Sequence, residues 1–113
     1  MKQKKTSGHV QKIKWPAALG FAAGSGLYDA YVVLGCVIRG ATAHFDVVVN
    51  ESNRGVAQQT LYFNMALGNG ILTVENEEQA IERADPAQLD KGGGAARAAS
   101  RMPEIKRQWE QAA

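Results

Sequence analysis

The sequence predicts an α/β fold built around a parallel β-sheet, and three features of the pattern lead to that class. Two continuous apolar runs, at 28–37 and 67–74, are typical of strands that are covered on both faces. Between them, over 45–63, apolar residues recur at helical spacing. A strand, a helix and a second strand in this order form a right-handed parallel crossover unit.

The first segments are predicted to be a basic head and a short helix. Residues 1–15 hold five lysines and no acid, whereas the whole chain carries a net charge of only +2, so the remainder is net negative. No aromatic residue interleaves the lysines, which favours a solvated, disordered head over a segment that binds nucleic acid or anionic lipid. Pro16 suits the first position of an alanine-rich helix over 16–23, which the glycine-containing stretch 24–26 ends.

The stretch after the first strand predicts a long helix, with Thr42 as its N-cap. The apolar positions at helical spacing are Phe45, Val48, Val49, Val56, Thr60 and Phe63. The positions expected to face outward are Asn50, Glu51, Asn53 and Arg54. Beyond the second strand we expect a short helix over 77–83 and a final helix over about 95–111, in which Pro103 should cause a kink or an early end.

The loop before the long helix holds the residues best placed for chemistry. In a parallel sheet, ligands bind beyond the carboxyl ends of the strands, which here means residues 38–44 and 75–76. Backbone N–H groups at Gly40, Ala41 and Thr42 are predicted to open the helix and to form an anion site suited to phosphate. His44 follows in the first turn, where an imidazole can transfer protons near neutral pH. A capping loop with an exposed histidine explains the same spacing, and spacing alone favours it.

Several other kinds of site are excluded by the same pattern. A lone Cys36 forms no internal disulfide or metal cluster, fits a reducing cytoplasm, and lies in a strand without a basic partner that would make it a nucleophile. No apolar run approaches the roughly 20 residues of a membrane span, and Pro16 interrupts the stretch closest to a signal peptide. Taken by themselves, Arg83 and Lys91 could close over a phosphate, but the pattern favours solvated charges. The glycines after Lys91 lack the spacing of a nucleotide-binding loop.

Three segments of the chain resemble the 6,7-dimethyl-8-ribityllumazine synthase family. LGCVIRGATAHFDVVVNES at 34–52 is similar to the family signature, and GNGILTVENEEQAIERA at 68–84 and DKGGGAARAA at 90–99 follow in the family's order and spacing. The resemblance implies an α/β three-layer sandwich with a flavodoxin-like strand order. It also implies that the chain condenses 5-amino-6-ribitylamino-uracil with 3,4-dihydroxy-2-butanone 4-phosphate, losing phosphate and water, with no cofactor and no metal.

The resemblance assigns roles to individual residues. His44 matches the family's proton-transfer histidine. The residues that match substrate contacts made within one subunit are Cys36, Val37, Ile38, Gly40, Ala41 and Thr42. Those that match contacts made by a neighbouring subunit are Asn69, Arg83 and Lys91. Because the family's site lies between subunits, the resemblance implies a homo-oligomer, either a pentamer or an assembly of pentamers. Neither nucleic acid nor a membrane is an expected partner.

The segment before Pro16 departs from the family pattern. Family members read roughly G-A-x-E-I-P there, and Lys14 stands where the acidic residue that contacts the ribityl chain belongs. The family's first two strands and its pyrimidine-stacking aromatic residue have no counterpart upstream. We therefore expect a domain over 16–113 that lacks two strands and exposes an apolar, aggregation-prone edge. Besides an active synthase, an inactive or assembly-only member of the family and a small phosphate-binding module remain open.

Overall fold

A computed structural model of the chain describes residues 14–112, and these form an alternating α/β arrangement. The helices are α1 (Trp15–Ser25), α2 (His44–Phe63), α3 (Glu77–Ala84) and α4 (Lys91–Ala112). The strands are β1 (Tyr31–Ile38) and β2 (Leu67–Val74). The α/β class is therefore confirmed. Most of the predicted head, 1–15, lies outside the described residues, and Trp15 is already the first residue of α1.

The two strands form a parallel sheet, as the crossover pattern predicts. They pair in register from Tyr31 with Leu67 to Ile38 with Val74, and α2 connects them. On one face, α1 and α2 enclose a buried cluster of Leu19, Val33 and Val56.

On the opposite face, α4 packs closely on β2, since a Cβ atom on Gly68 would overlap the backbone of Ala95. Helices on both faces of the sheet give the three layers that the resemblance implies. The flavodoxin-like strand order stays a prediction, because two strands do not define it. Among the described helices, none is long and apolar enough to cross a bilayer.

Among the described residues, one face of β1 is buried and the other is only partly covered. Val33 is almost fully buried toward α1 and α2, whereas Val32, Leu34 and Ile38 on the α4 side are 41%, 54% and 46% exposed. Helix α4 lies mainly over β2, and within the described residues β1 pairs with β2 alone. Within residues 14–112, the prediction that both faces are covered therefore holds for the face of β1 toward α1 and α2 and fails in part for the face toward α4. The edge of β1 away from β2 has no strand paired to it among these residues, as expected.

Both of the long helices differ from the sequence prediction at their ends. The N-cap of α2 is Ala43, one residue after Thr42, the N-cap that the sequence predicts. Helix α4 begins at Lys91 and includes the three glycines that follow, because the Asp90 side chain accepts a hydrogen bond from the Gly93 N–H at 3.2 Å and caps the first turn. Pro103 does not end α4, which continues to Ala112.

Candidate functional site

The candidate site lies at the carboxyl end of the sheet and is built from one continuous segment. Cys36, Val37 and Ile38 are the last three residues of β1, the loop 39–43 follows, and His44 begins α2. The backbone N–H of Arg39 donates to the Val74 carbonyl at 2.8 Å, which extends the pairing of the strands by one step. The loop after β1 and the loop after β2 therefore lie at the same edge of the sheet, as predicted for residues 38–44 and 75–76.

His44 presents an exposed side chain on the first turn of α2. Its backbone N–H donates to Oγ1 of Thr42 at 3.4 Å, and the Asp46 N–H donates to the Ala43 carbonyl at 3.0 Å. An imidazole held at a helix start beyond a strand end is free to meet a substrate and to exchange protons.

The predicted anion site needs a correction. Gly40, Ala41 and Thr42 precede α2 instead of opening it, because the helix begins at His44. Their amides therefore belong to an exposed loop and are not the first donors of the helix. An anion bound there would meet loop amides, while the positive end of the α2 dipole would act from His44 onward.

Arg39 lies within the candidate site, and sequence reasoning missed its contacts. Its Nε donates to Oε2 of Glu75 at 2.7 Å, and its Nη1 lies 3.9 Å from Oδ1 of Asp46. The guanidinium carbon also lies 4.5 Å from the ring centroid of Phe45. A signal existed in the sequence: Arg39 directly follows the first strand and Glu75 directly follows the second. Parallel pairing brings two such positions together.

The loop after β2 is fixed by the start of α3. Oδ1 of Asn76 accepts a hydrogen bond from the Gln79 N–H at 2.9 Å, as an N-cap does. The Gln79 side chain returns from the helix, and its Oε1 accepts from the Glu75 N–H at 2.8 Å. This reciprocal arrangement resembles a capping box and holds Glu75 in place opposite Arg39.

Arg83 and Lys91 lie on two separate helices, α3 and α4. Arg83 is the seventh residue of α3, and its Nη1 donates to the Gln79 carbonyl at 3.4 Å. Lys91 is exposed and begins α4. The positive end of α4 already has an anion beside it, because the Asp90 carboxylate caps this turn and also accepts from Nη1 of Arg97 at 3.3 Å. A phosphate near Lys91 would share that helix end with Asp90.

Asn69 is not brought together with the other site residues within one chain. It is the third residue of β2 and pairs with Val33, whereas Val37 pairs with Thr73. Four residues of strand separate Asn69 from Thr73, a distance of roughly 13 Å. Its Nδ2 donates to Oδ1 of Asn53 at 3.0 Å, so Asn53 faces the sheet and not outward as predicted. Within the described residues, no group of three or more His, Cys, Asp or Glu side chains is arranged to hold a metal ion.

Comparison with known proteins gives one consistent result. A family model described as 6,7-dimethyl-8-ribityllumazine synthase matches residues 12–107. A protein of that name from Sphingopyxis alaskensis is 61% identical over 94 residues, which is 83% of this chain and 66% of the relative. Its namesake from Zymomonas mobilis is 58% identical, covering 81% of this chain and 66% of the relative. One from Erythrobacter litoralis is 57% identical, covering 74% and 59%. The chain thus spans slightly less than two thirds of the length of these relatives.

Proposed function

Because this chain belongs to the 6,7-dimethyl-8-ribityllumazine synthase family, we propose that it makes 6,7-dimethyl-8-ribityllumazine for riboflavin biosynthesis. The substrates are 5-amino-6-ribitylamino-uracil and 3,4-dihydroxy-2-butanone 4-phosphate, and phosphate and water are released. The observation that carries the proposal is the position of His44, which begins α2 directly beyond the carboxyl end of β1 within the segment that matches the family signature.

The reaction requires positioning and proton transfer from the protein. The pyrimidine amine adds to the ketone with loss of one water, phosphate is eliminated, and the second ring closes with loss of a second water. The imidazole of His44 is exposed and can accept a proton at one step and return it at another. General acid–base catalysis of this kind contributes about 10²–10⁴-fold to a rate. Holding both substrates in the correct orientation supplies much of the remainder.

Substrate binding is proposed to use the rest of the same segment. The strand end Cys36–Ile38 forms a wall for the pyrimidine, and the exposed amides of Gly40, Ala41 and Thr42 bind the phosphate. The support is that these residues and His44 form one uninterrupted strand, loop and helix start. Arg83 and Lys91 of a neighbouring subunit add positive charge for the phosphate, as the resemblance implies, with no metal and no cofactor.

We propose that the working form is a homo-oligomer, either a single pentamer or an assembly of pentamers. Asn69 lies about four residues back along β2 from the sheet edge that carries His44. It can therefore contribute to a substrate site more readily from another subunit than within its own. Exposed apolar side chains supply surface for assembly: Phe21, Leu61 and Tyr62 are 80%, 83% and 80% exposed. A single cysteine without a disulfide partner is consistent with a cytoplasmic enzyme.

The test is lumazine formation by the purified chain with both substrates, followed by absorbance, with size-exclusion chromatography on the same sample. We expect turnover that coincides with a peak larger than a monomer. A folded sample without turnover would contradict the proposal, and an oligomeric peak in that case would favour an assembly-only member of the family. Binding of simple phosphates with no preference for the uracil substrate would favour a phosphate-binding module.

A further inference from the structure

We propose that Arg39 is a positioning residue of the site: its guanidinium holds the first turn of α2, and with it His44, against the carboxyl end of β2. The inference rests on the proposed function for its kinetic consequence. Its structural basis is separate, because it comes from the contacts that Arg39 makes at the end of the sheet. Arg39 itself lies between Ile38 and Gly40, inside the segment that carries the proposed substrate contacts.

Arg39 is attached to the end of β2 by both its backbone and its side chain. The backbone N–H donates to the Val74 carbonyl at 2.8 Å, and Nε donates to Oε2 of Glu75 at 2.7 Å. Glu75 is in turn held through its own N–H by Oε1 of Gln79 at 2.8 Å. The guanidinium therefore has a fixed anchor, formed by the last residue of β2 and the loop that follows it.

The other side of the guanidinium faces α2. Nη1 lies 3.9 Å from Oδ1 of Asp46, and the guanidinium carbon lies 4.5 Å from the centroid of the Phe45 ring. Phe45 and Asp46 are the two residues that directly follow His44. One planar group thus contacts the aromatic face and the carboxylate that set the orientation of the turn from which the imidazole projects.

These contacts contribute to orientation more than to stability. The side chains of Arg39, Glu75 and Asp46 are 45%, 57% and 59% exposed, and ion pairs exposed to that degree add little to the free energy of unfolding. Removal of Arg39 should therefore leave the fold intact. It would free the turn that carries His44 and leave Glu75 and Asp46 as two carboxylates without their shared counter-charge. Small displacements of a catalytic group are costly for turnover.

A direct phosphate contact by Arg39 predicts a different kinetic result. Two carboxylates already engage the guanidinium, so a substrate phosphate would have to compete with both of them. If Arg39 bound the phosphate, its loss would raise KM for the butanone phosphate and weaken inhibition by inorganic phosphate. A positioning role lowers kcat and changes KM far less.

The kinetic experiment compares Arg39→Ala and Arg39→Lys with a matched control, Arg54→Ala. Arg54 pairs with Glu51 at 2.6 Å on α2 and is more than half exposed, so its loss removes a similar ion pair elsewhere on the same helix. We expect Arg39→Ala to lower kcat by about 10–100-fold, with a melting temperature close to that of Arg54→Ala. Arg39→Lys should restore part of kcat, because lysine keeps the charge but cannot contact both carboxylates as a planar fork does.

Three results would overturn the proposal: a kcat equal to that of Arg54→Ala, a loss confined to KM, or a fall in kcat matched by loss of the fold. Glu75→Gln provides a second variant that keeps Arg39 while removing its charged anchor. It should lower kcat less than Arg39→Ala does, and adding it to Arg39→Ala should cause little further loss.

A spectroscopic arm separates failure of this inference from failure of the proposed function. If the unaltered chain makes no lumazine, the proposed function fails, and NMR then decides the role of Arg39. We expect Arg39→Ala, but not Arg54→Ala, to shift and broaden the His44 imidazole resonances and the amides of Gly40, Ala41 and Thr42. Unchanged resonances at these residues in Arg39→Ala would overturn the inference.

Discussion

Asn69 donates from Nδ2 to Oδ1 of Asn53 at 3.0 Å, and this contact joins the third residue of β2 to the middle of α2. Asn53 also donates from its own Nδ2 to the Val49 carbonyl at 2.9 Å. The remaining oxygen, Oδ1 of Asn69, accepts from the Ile71 N–H at 2.9 Å. Each amide side chain therefore uses a donor and an acceptor within the chain, and the pair links a helical layer to the sheet.

A thermodynamic cycle should detect this link. We expect Asn53→Ala and Asn69→Ala each to lower the free energy of unfolding by about 0.5–1.5 kcal/mol, since each removes one hydrogen-bond partner. The double variant should lose less than the sum of the two, because the shared bond is removed only once. Urea unfolding of the four proteins measures the coupling. Strictly additive losses would show that the two amides act independently.

The close approach of α4 to β2 should make one glycine irreplaceable. A Cβ atom on Gly68 would overlap the carbonyl group of Ala95, which is backbone and cannot rotate away. Overpacking of this kind costs about 1–3 kcal/mol or more, so Gly68→Ala should lower the melting temperature. Among the described residues, a Cβ atom on Gly24 in α1 would meet nothing within 4 Å outside its own helical turn. Gly24→Ala should therefore raise the melting temperature, since alanine favours a helix by about 0.5–1 kcal/mol. Shifts of the same sign in both variants would contradict the packing.

Elements that depend on a local pattern could be predicted from the sequence. The apolar runs located both strands to within three residues, and helical spacing located α2 to within a residue at its start and at its end. The start of α4 could not be found in this way. Three successive glycines disfavour a helix, but the Asp90 side chain caps the turn and Ala95 packs against Gly68. The contact of Ala95 with Gly68 joins two separate elements and is known only once the chain is folded. Asp90 is a local capping signal, three residues before Gly93, and it competes with the low helix propensity of the glycines.

The candidate site likewise contains residues that a local pattern predicts and contacts that depend on the folded structure. His44 and its loop could be predicted because they are contiguous in sequence and follow a strand. The sequence also places Arg39 and Glu75 in the two loops at the same edge of the sheet, but their ion pair spans 36 positions and depends on the register of β1 with β2. Helical spacing alone predicts that Asn53 faces outward, whereas the packing of α2 on the sheet places it beside Asn69.

Pro103 should destabilise α4, and replacing it should raise the stability of the chain. The helix continues through Pro103 to Ala112, and proline has no N–H to donate to the carbonyl of Ala99, which is almost fully buried. Alanine at this position would restore that donor and remove the clash of the ring with the preceding turn. We expect Pro103→Ala to stabilise the chain by up to about 3 kcal/mol, measured as a rise in melting temperature. An unchanged or lower value would show that the helix has adapted fully to proline.

Acid should weaken the turn between α3 and α4. The Ala87 N–H at 2.9 Å, followed by the Gln88 side chain at 3.1 Å, holds the pKa of the Asp85 carboxyl below its usual range. A lowered pKa in the folded state means that the contribution to stability is complete above the pKa of the unfolded chain. It is lost as the pH falls through the folded value. An NMR titration of Asp85 should show the lowered midpoint, and Asp85→Asn should flatten the acid side of the stability curve. A midpoint equal to that of an unfolded peptide would contradict this.

His44 should be needed for turnover and not for folding. Its imidazole is exposed, and the hydrogen bond that it makes to Thr42 comes from the backbone N–H, which alanine retains. We therefore expect His44→Ala to keep the melting temperature and the oligomeric state of the unaltered chain. The rate of lumazine formation should fall by about 10²–10⁴-fold, the usual contribution of a positioned acid–base group.

A matched control for this variant is Gln58→Ala, which also truncates an exposed polar side chain of α2 but lies far along the helix from its start. It should leave the rate unchanged. Imidazole added to the His44→Ala protein should restore part of the rate, because a free base can replace a missing proton carrier but not a missing structural contact. An undiminished rate in His44→Ala would remove the residue from the mechanism. The role of the site would then reduce to binding and orientation of the substrates by the strand end and the loop.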